Sequence, residues 1–185
     1  MKETQNPIAQ RSMDWIAAAL IALMKEKPFS SISITEISNR ADLNRRTFYR
    51  SFTSKEEVLT YYLDKIWHEA LNDLKTYDDH SYFQTVMWYL DSWYSHKELA
   101  LLLYKNNLIP LLMKEYDKLL KEIYLLRKGN YPLAKNPEAL DYALSYSAGG
   151  LLNILCQWCR DDMKKTPEEV AALLRMAFKM PQTKQ

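Results

Sequence analysis

Glycine is nearly missing from this chain: it occupies three of 185 positions, Gly129, Gly149 and Gly150. Two-residue hairpin turns are built largely on glycine, so a sheet made of hairpins is disfavoured and helix formers dominate what remains. So few glycines cannot build a phosphate cradle, and a P-loop, a dinucleotide fingerprint, HExxH and GxSxG are all absent. No catalysis and no cofactor are therefore expected. Cysteine occurs twice, Cys156 and Cys159, too few and too close together to staple a secreted scaffold. No run approaches the length of uncharged apolar residues that spans a bilayer. The first thirty residues also lack a basic stretch followed by an apolar one and a small-residue cleavage site. A cytoplasmic protein with no membrane partner is expected.

What is present is the composition of a packed protein, with 48% hydrophobic and 26% charged residues. Leu, Ala, Met, Lys and Glu are abundant, so the expected class is all-α. The net charge of +2 is unevenly spread. Residues 1 to 55 hold nine Lys or Arg against five acids, leaving +4 there and −2 in the remainder. A basic N-terminal third on an otherwise neutral chain points to a polyanionic partner at that end.

Helix starts are legible because Ser or Thr followed three residues later by Glu lets side chain and backbone satisfy each other's orphan donors. Four such boxes stand in the sequence: Ser33 with Glu36, Ser54 with Glu57, Ser95 with Glu98, and Thr166 with Glu169. Asn6-Pro7 and Asn136-Pro137 add two starts with proline in the first turn. Together with apolar spacing they predict about nine helices, near 7–26, 34–41, 45–51, 55–75, 81–94, 96–104, 107–127, 137–162 and 167–179. The second and third are too short to persist alone in water. They must rest on the first through Ile32, Ile34, Ile37, Ala41, Leu43, Phe48 and Phe52. This predicts a three-helix module over residues 1–53, followed by a helical domain over 54–185.

The segment from Ser33 to Lys55 reads as helix, turn, helix. Asp42 sits where the turn needs a residue that tolerates left-handed backbone, Leu43 enters the core, and Asn44 caps the second helix. Phe48 and Phe52, four apart, face inward. Arg45, Arg46, Tyr49 and Arg50 must then face out. Arginine forks onto guanine or pairs with phosphate, and residues near the start of such a helix reach base edges in the major groove. The alternative, a solvated basic face with no partner, explains neither the turn nor the concentration of arginines.

This segment resembles the DNA-binding signature of the TetR family of regulators over about Arg11 to Leu59. The resemblance is carried by Thr47-Phe48-Tyr49, Phe52, and the run Ser54-Lys55-Glu56-Glu57-Val58-Leu59. Lys27-Pro28-Phe29 and Asn44 through Arg50 resemble a Gram-positive subgroup of it. The resemblance implies a three-helix N-terminal DNA-binding domain followed by a helical domain that dimerises and binds a ligand. It implies that Asn44, Arg45, Arg46, Thr47, Tyr49 and Arg50 face double-stranded DNA, with Thr35 and Lys55 on flanking phosphates. It also implies a homodimer, usually a repressor, whose grip on DNA changes with a small-molecule effector. Asp42, Ser38 and Ser51 depart from the family's usual glycine, alanine and histidine. The rival reading is a partner-binding module of the same fold that acts as a coactivator without touching DNA, and Arg45, Arg46 and Arg50 argue against it.

Aromatic density after residue 60 places the expected effector site between the helices near 81–94, 107–127 and 137–162. Its expected lining is Trp88, Tyr89, Met113, Tyr116, Tyr146 and Asn153. For most aromatics the plain reading is core packing. Cys156-Gln157-Trp158-Cys159 is a CxxC, but it has no second pair and no neighbouring histidine, so two small packing residues are expected and no metal. The helix carrying Leu151, Leu152, Ile154, Leu155, Cys156, Trp158 and Cys159 is apolar almost all round. With Val170, Leu173, Leu174, Ala177 and Phe178 it predicts a four-helix dimer interface over about 137–179, and hence a palindromic operator.

Overall fold

The computed structural model describes residues 7–75, 81–126 and 137–178. Among them there are nine α-helices, one 3-10 turn and no strand. The chain divides into two compact units, Met1–His68 and Glu69–Gln185.

The first unit holds α1 (Pro7–Glu26), the 3-10 turn Phe29–Ser31, α2 (Ile34–Arg40), α3 (Arg45–Ser51) and the first part of α4 (Lys55–Leu74). The division expected after Thr53 leaves the fourth helix wholly to the second domain; the first compact unit instead runs on to His68. Ile16 and Leu20 of α1 are completely buried, as are Ile37, Phe48, Val58 and Leu59. Each such side chain contributes about 1.5–3 kcal/mol by leaving water. α1, α2 and α3 all pack on one another, which is why two seven-residue helices persist. Tyr61 closes the unit from α4: its hydroxyl donates to Asp14 Oδ1 at 2.8 Å and its ring meets Phe52 edge-on. Lys65 Nζ joins the same carboxylate at 2.8 Å.

The second unit continues α4 and adds α5 (Tyr82–Ser95), α6 (Lys97–Lys105), α7 (Ile109–Leu126), α8 (Pro137–Arg160) and α9 (Pro167–Phe178). α7 packs on α8 and α5 on α9, while α6 touches both α5 and α8.

The caps decide most boundaries. Ser33 and Glu36 form the full reciprocal box, and Thr166 and Glu169 do the same at 2.8 and 3.3 Å. Ser54 accepts from the Glu57 amide, but the Glu57 carboxylate turns back to Thr53. The box expected at Ser95 and Glu98 does not form. Ser95 is the last residue of α5, and α6 starts at Lys97 after His96, with no side-chain cap. α5 is capped instead by Ser81, whose hydroxyl accepts from the Gln84 amide at 3.1 Å. The expected caps Asn6 and Asn136 lie outside the described residues.

Candidate nucleic-acid interface and ligand cavity

α3 is fixed from three directions. The α2 C-terminus hands over through Asp42, whose φ of 54° is left-handed, and the Leu43 amide closes the turn on Ser38 O at 2.9 Å. Ser38 is buried, and its hydroxyl donates to Ile34 O at 2.8 Å, so a polar residue sits in this packed turn without an orphan group. Asn44 caps the helix: its Oδ1 accepts from the Thr47 amide at 2.8 Å and from the Thr47 hydroxyl at 3.1 Å. Phe48 and Phe52 anchor the inner face, their rings 5.9 Å apart.

With the inner face locked, Arg45, Arg46, Tyr49 and Arg50 are exposed, as are Asn44 and Thr35, and Thr47 is half-buried. Three other cations of the unit have carboxylate partners. Lys27 pairs with Glu36, Arg40 with Glu26 at 2.7 Å, and Lys65 with Asp14 at 2.8 Å. Among the described residues no carboxylate pairs with Arg45, Arg46 or Arg50. Arg45 lies against Tyr49, 5.8 Å from its ring centre, with a long contact of 3.4 Å to its hydroxyl. Three uncompensated guanidinium groups on one short, rigid helix suit a polyanion.

Lys55 lies elsewhere in the electrostatics. Its ammonium donates to three carbonyls, Phe29 O at 2.6 Å, Ile32 O at 2.9 Å and Ser30 O at 3.2 Å, and sits 4.6 Å from the Phe29 ring centre. All three of its protons are thus committed to the 3-10 turn, where a phosphate would have to compete for them. Nothing in the sequence marked these carbonyls as its partners.

In the second unit a cavity of about 40 Å³ lies between α5, α7 and α8. Trp88, Tyr89 and Tyr116, three of the residues expected around an effector, line it. Met113, Tyr146 and Asn153 do not line it: Met113 is 48% and Tyr146 77% exposed, and Asn153 is exposed with its amide donating to Gly149 O. The lining positions of α8 are Leu144, Ser147 and Leu151, spaced three and four apart. Tyr146 and Asn153 fall off that stripe by helical periodicity. Thr85 and Ser147, which the sequence reading missed, contribute polar groups, and a search along the i, i+3, i+4 stripes of these helices finds both.

The polar groups around the cavity form a chain. Trp93 Nε1 donates to the Tyr116 hydroxyl at 2.7 Å, Tyr116 to Tyr89 at 2.9 Å, and Tyr89 to the Leu151 carbonyl at 2.9 Å. Burial raises both phenols above their ordinary pKa, so they stay protonated. Cys159 is buried nearby, its thiol pushed up to about 12 by burial and then by Cys156. That is the opposite of the depressed pKa that marks a reactive thiol.

Other large side chains of the same unit are exposed on two of its helices. Tyr142 and Tyr146 of α8 and Leu173 and Met176 of α9 all show half or more of their area. The dimer face expected from sequence centred on Leu152 and its neighbours. Leu152, Leu155, Trp158, Cys159 and Val170 are instead buried inside their own unit, so that part of the expectation is corrected. The Phe178 side chain lies outside the described residues. Gly149 and Gly150 stand in mid-helix, and a Cβ on either would meet nothing within 4 Å.

Residues 16–62 match the family described as bacterial regulatory proteins, tetR family, and residues 80–179 match the transcriptional regulator C-terminal region. Over 62 residues the chain is 34% identical to the HTH-type dhaKLM operon transcriptional activator DhaS of Lactococcus lactis, covering 34% of this chain and 33% of that protein. Over 61 residues it is 36% identical to the HTH-type transcriptional regulator EthR of Mycobacterium tuberculosis, covering 33% of this chain and 28% of that one. The match thus spans about a third of the length of these curated relatives. Two solved structures share the fold. The dihydroxyacetone kinase operon activator DhaS has a TM-score of 0.59 at 21% identity, over 91% of this chain and 96% of that one. The fatty acid degradation regulator FadR of Bacillus halodurans has a TM-score of 0.62 at 16% identity, over 99% of this chain and 100% of that one.

Proposed function

The chain belongs to the TetR family of bacterial transcription regulators, and from that premise we propose that it works as a cytoplasmic homodimer that binds an inverted-repeat DNA site through α3. It is not an enzyme: the families and relatives it matches are transcriptional regulators. The observation that carries the DNA reading is the outer face of α3, where Arg45, Arg46 and Arg50 stand exposed on one short helix with no carboxylate partner among the described residues, whereas Lys27, Arg40 and Lys65 each have one. A coactivator that never meets DNA has no use for three such charges held on a capped and anchored helix. Arg45 and Arg46, in the first turn, are assigned to base edges; Thr47, Tyr49, Arg50 and Thr35 position the helix on phosphates, with Asn44 as the cap that aims it.

The exposed tyrosines of α8 and the exposed Leu173 and Met176 of α9 support the dimer, because a second copy would take these large side chains out of water. The glycines support it too. Mid-helix glycine costs roughly 1 kcal/mol against alanine, and the chain's own packing does not need either one. Close approach of a second copy gives them a purpose. Two-fold symmetry in the protein then asks for two-fold symmetry in the operator.

The cavity of the second unit is the proposed effector site, and repression relieved by the effector is the proposed mode. Selection of bound sequences from a random DNA pool tests this reading: an inverted repeat supports it, and a single unrepeated motif or no enrichment sinks it. A reporter under the chain's own promoter fixes the sign of regulation, with expression rising on deletion if it represses.

A further inference from the structure

Asn44 stands exposed at the start of α3, and its amide is oriented by its partners. A backbone N–H can only donate, so the Asn44 atom that meets the Thr47 amide at 2.8 Å is its oxygen, Oδ1. That oxygen also accepts from the Thr47 hydroxyl at 3.1 Å, which takes its second lone pair. The side chain therefore offers DNA its Nδ2 protons and no acceptor. An asparagine reads adenine by accepting from N6 while donating to N7, and this one cannot do so without giving up the cap of α3.

Arg45, the next residue, is held where its neighbours are not. Its guanidinium lies 5.8 Å from the ring centre of Tyr49, one helical turn on, and donates to the Tyr49 hydroxyl oxygen over a long 3.4 Å. That contact occupies one N–H of the guanidinium and leaves the others for a partner. Arg46 and Arg50 have no aromatic ring or carboxylate against them among the described residues. Arg45 thus meets the groove with its fork already steadied, so less side-chain freedom is lost on binding.

The bases differ in what they show a fork of donors. In the major groove guanine presents two acceptors, O6 and N7, while adenine sets N7 beside an amino group, thymine sets O4 beside a methyl, and cytosine shows an amino donor. Only guanine matches two parallel N–H groups. We infer that each half-site carries a guanine that Arg45 reads through O6 and N7, with Tyr49 as the positioning residue that steadies the fork and Asn44 adding a donor but no adenine readout. This rests on the reading of α3 as the DNA-binding helix.

Sites recovered from a random DNA pool by the wild-type full chain supply the probe. In them each guanine is replaced in turn by 7-deazaguanine, which lacks the N7 acceptor, and by inosine, which keeps O6 and N7 and loses only the minor-groove amino group. One guanine of each half-site should cost about tenfold in affinity as the deaza base and little as inosine. That penalty should vanish in Arg45→Ala and persist in Arg46→Ala. Tyr49→Ala should shrink it and Tyr49→Phe, which keeps the ring, should restore it; a full penalty in Tyr49→Ala overturns the positioning role. A penalty that vanishes in Arg46→Ala and persists in Arg45→Ala overturns the assignment to Arg45. If no guanine responds to the loss of N7, guanine is not the base read. A preference for adenine that is abolished by Asn44→Ser, which keeps a capping oxygen, overturns the donor-only role of Asn44. A pool that yields no enriched sequence fails at the earlier step and removes the DNA reading itself, and this inference with it.

Discussion

The ammonium of Lys55 is held 4.6 Å from the ring centre of Phe29 while donating to the Phe29 carbonyl at 2.6 Å, so one side chain ties the start of α4 to the turn that precedes α2. That turn sets where α2 begins, and α2 in turn supports α3.

Lys55→Met keeps the aliphatic stem and removes the three charge-assisted hydrogen bonds. It should destabilise the N-terminal unit by about 1.5–3 kcal/mol, measured by chemical denaturation. The slope of log affinity for DNA against log salt should stay as in the wild type, since the three carbonyls already hold the protons of this ammonium. A slope flatter by about one unit, with unchanged stability, would place this ammonium on the DNA instead.

Glu36 gives a pH signature. Its carboxyl is lowered to about 2 by the Lys27 ammonium first, then by the Ser33 amide and hydroxyl. A depressed folded-state pKa adds stability that is present above the ordinary carboxylate value and lost as pH falls through the folded one. The melting-temperature difference between wild type and Glu36→Gln should be full at neutral pH and shrink as pH falls from 4.5 towards 2. The group is exposed, so the difference is small. A difference that grows on acidification contradicts the assignment.

The dimer is best probed on the exposed positions. Tyr146→Asp and Leu173→Asp change side chains that are 77% and 51% exposed in the single chain, so each should fold with its helicity intact yet run as a monomer by light scattering at micromolar concentration. Leu152→Asp would confuse the result, because Leu152 is 4% exposed and belongs to the chain's own core. Gly150→Ala adds a sharper arm: its Cβ would meet nothing within 4 Å in one chain, so weakened dimerisation with unweakened folding means that a second copy approaches there. Charged variants that remain dimeric would remove α8 and α9 from the interface.

The helix limits were legible in the sequence. Each of the nine helices lies within two residues of its expected limits, because apolar spacing and caps such as Ser33 and Thr166 are local signals. The outward face of α3 was legible for the same reason: Phe48 and Phe52 must face in, which leaves the arginines outside. The cavity was legible only in part. Aromatic content pointed to Trp88, Tyr89 and Tyr116, but Tyr146 sits one residue from the lining position Ser147, a rotation of about 100° that composition does not register. Lys55 illustrates a different gap. Its carbonyl partners are 23 to 26 residues away in sequence, and no local pattern encodes a contact that only the packed turn creates.

Fluorescence anisotropy with the chain's own upstream DNA, read across a salt titration beside a random duplex of equal length, tests the DNA-reading role of α3 most directly. The wild type should bind the upstream DNA far more tightly than the random duplex, with a negative salt slope. Arg45→Ala or Arg46→Ala should lose about 1–3 kcal/mol on the specific site and little on random DNA, while Arg50→Ala should weaken both alike and reduce the slope by about one. Equal binding to both duplexes by the wild type, unchanged in all three variants, would contradict the claim that this helix reads DNA.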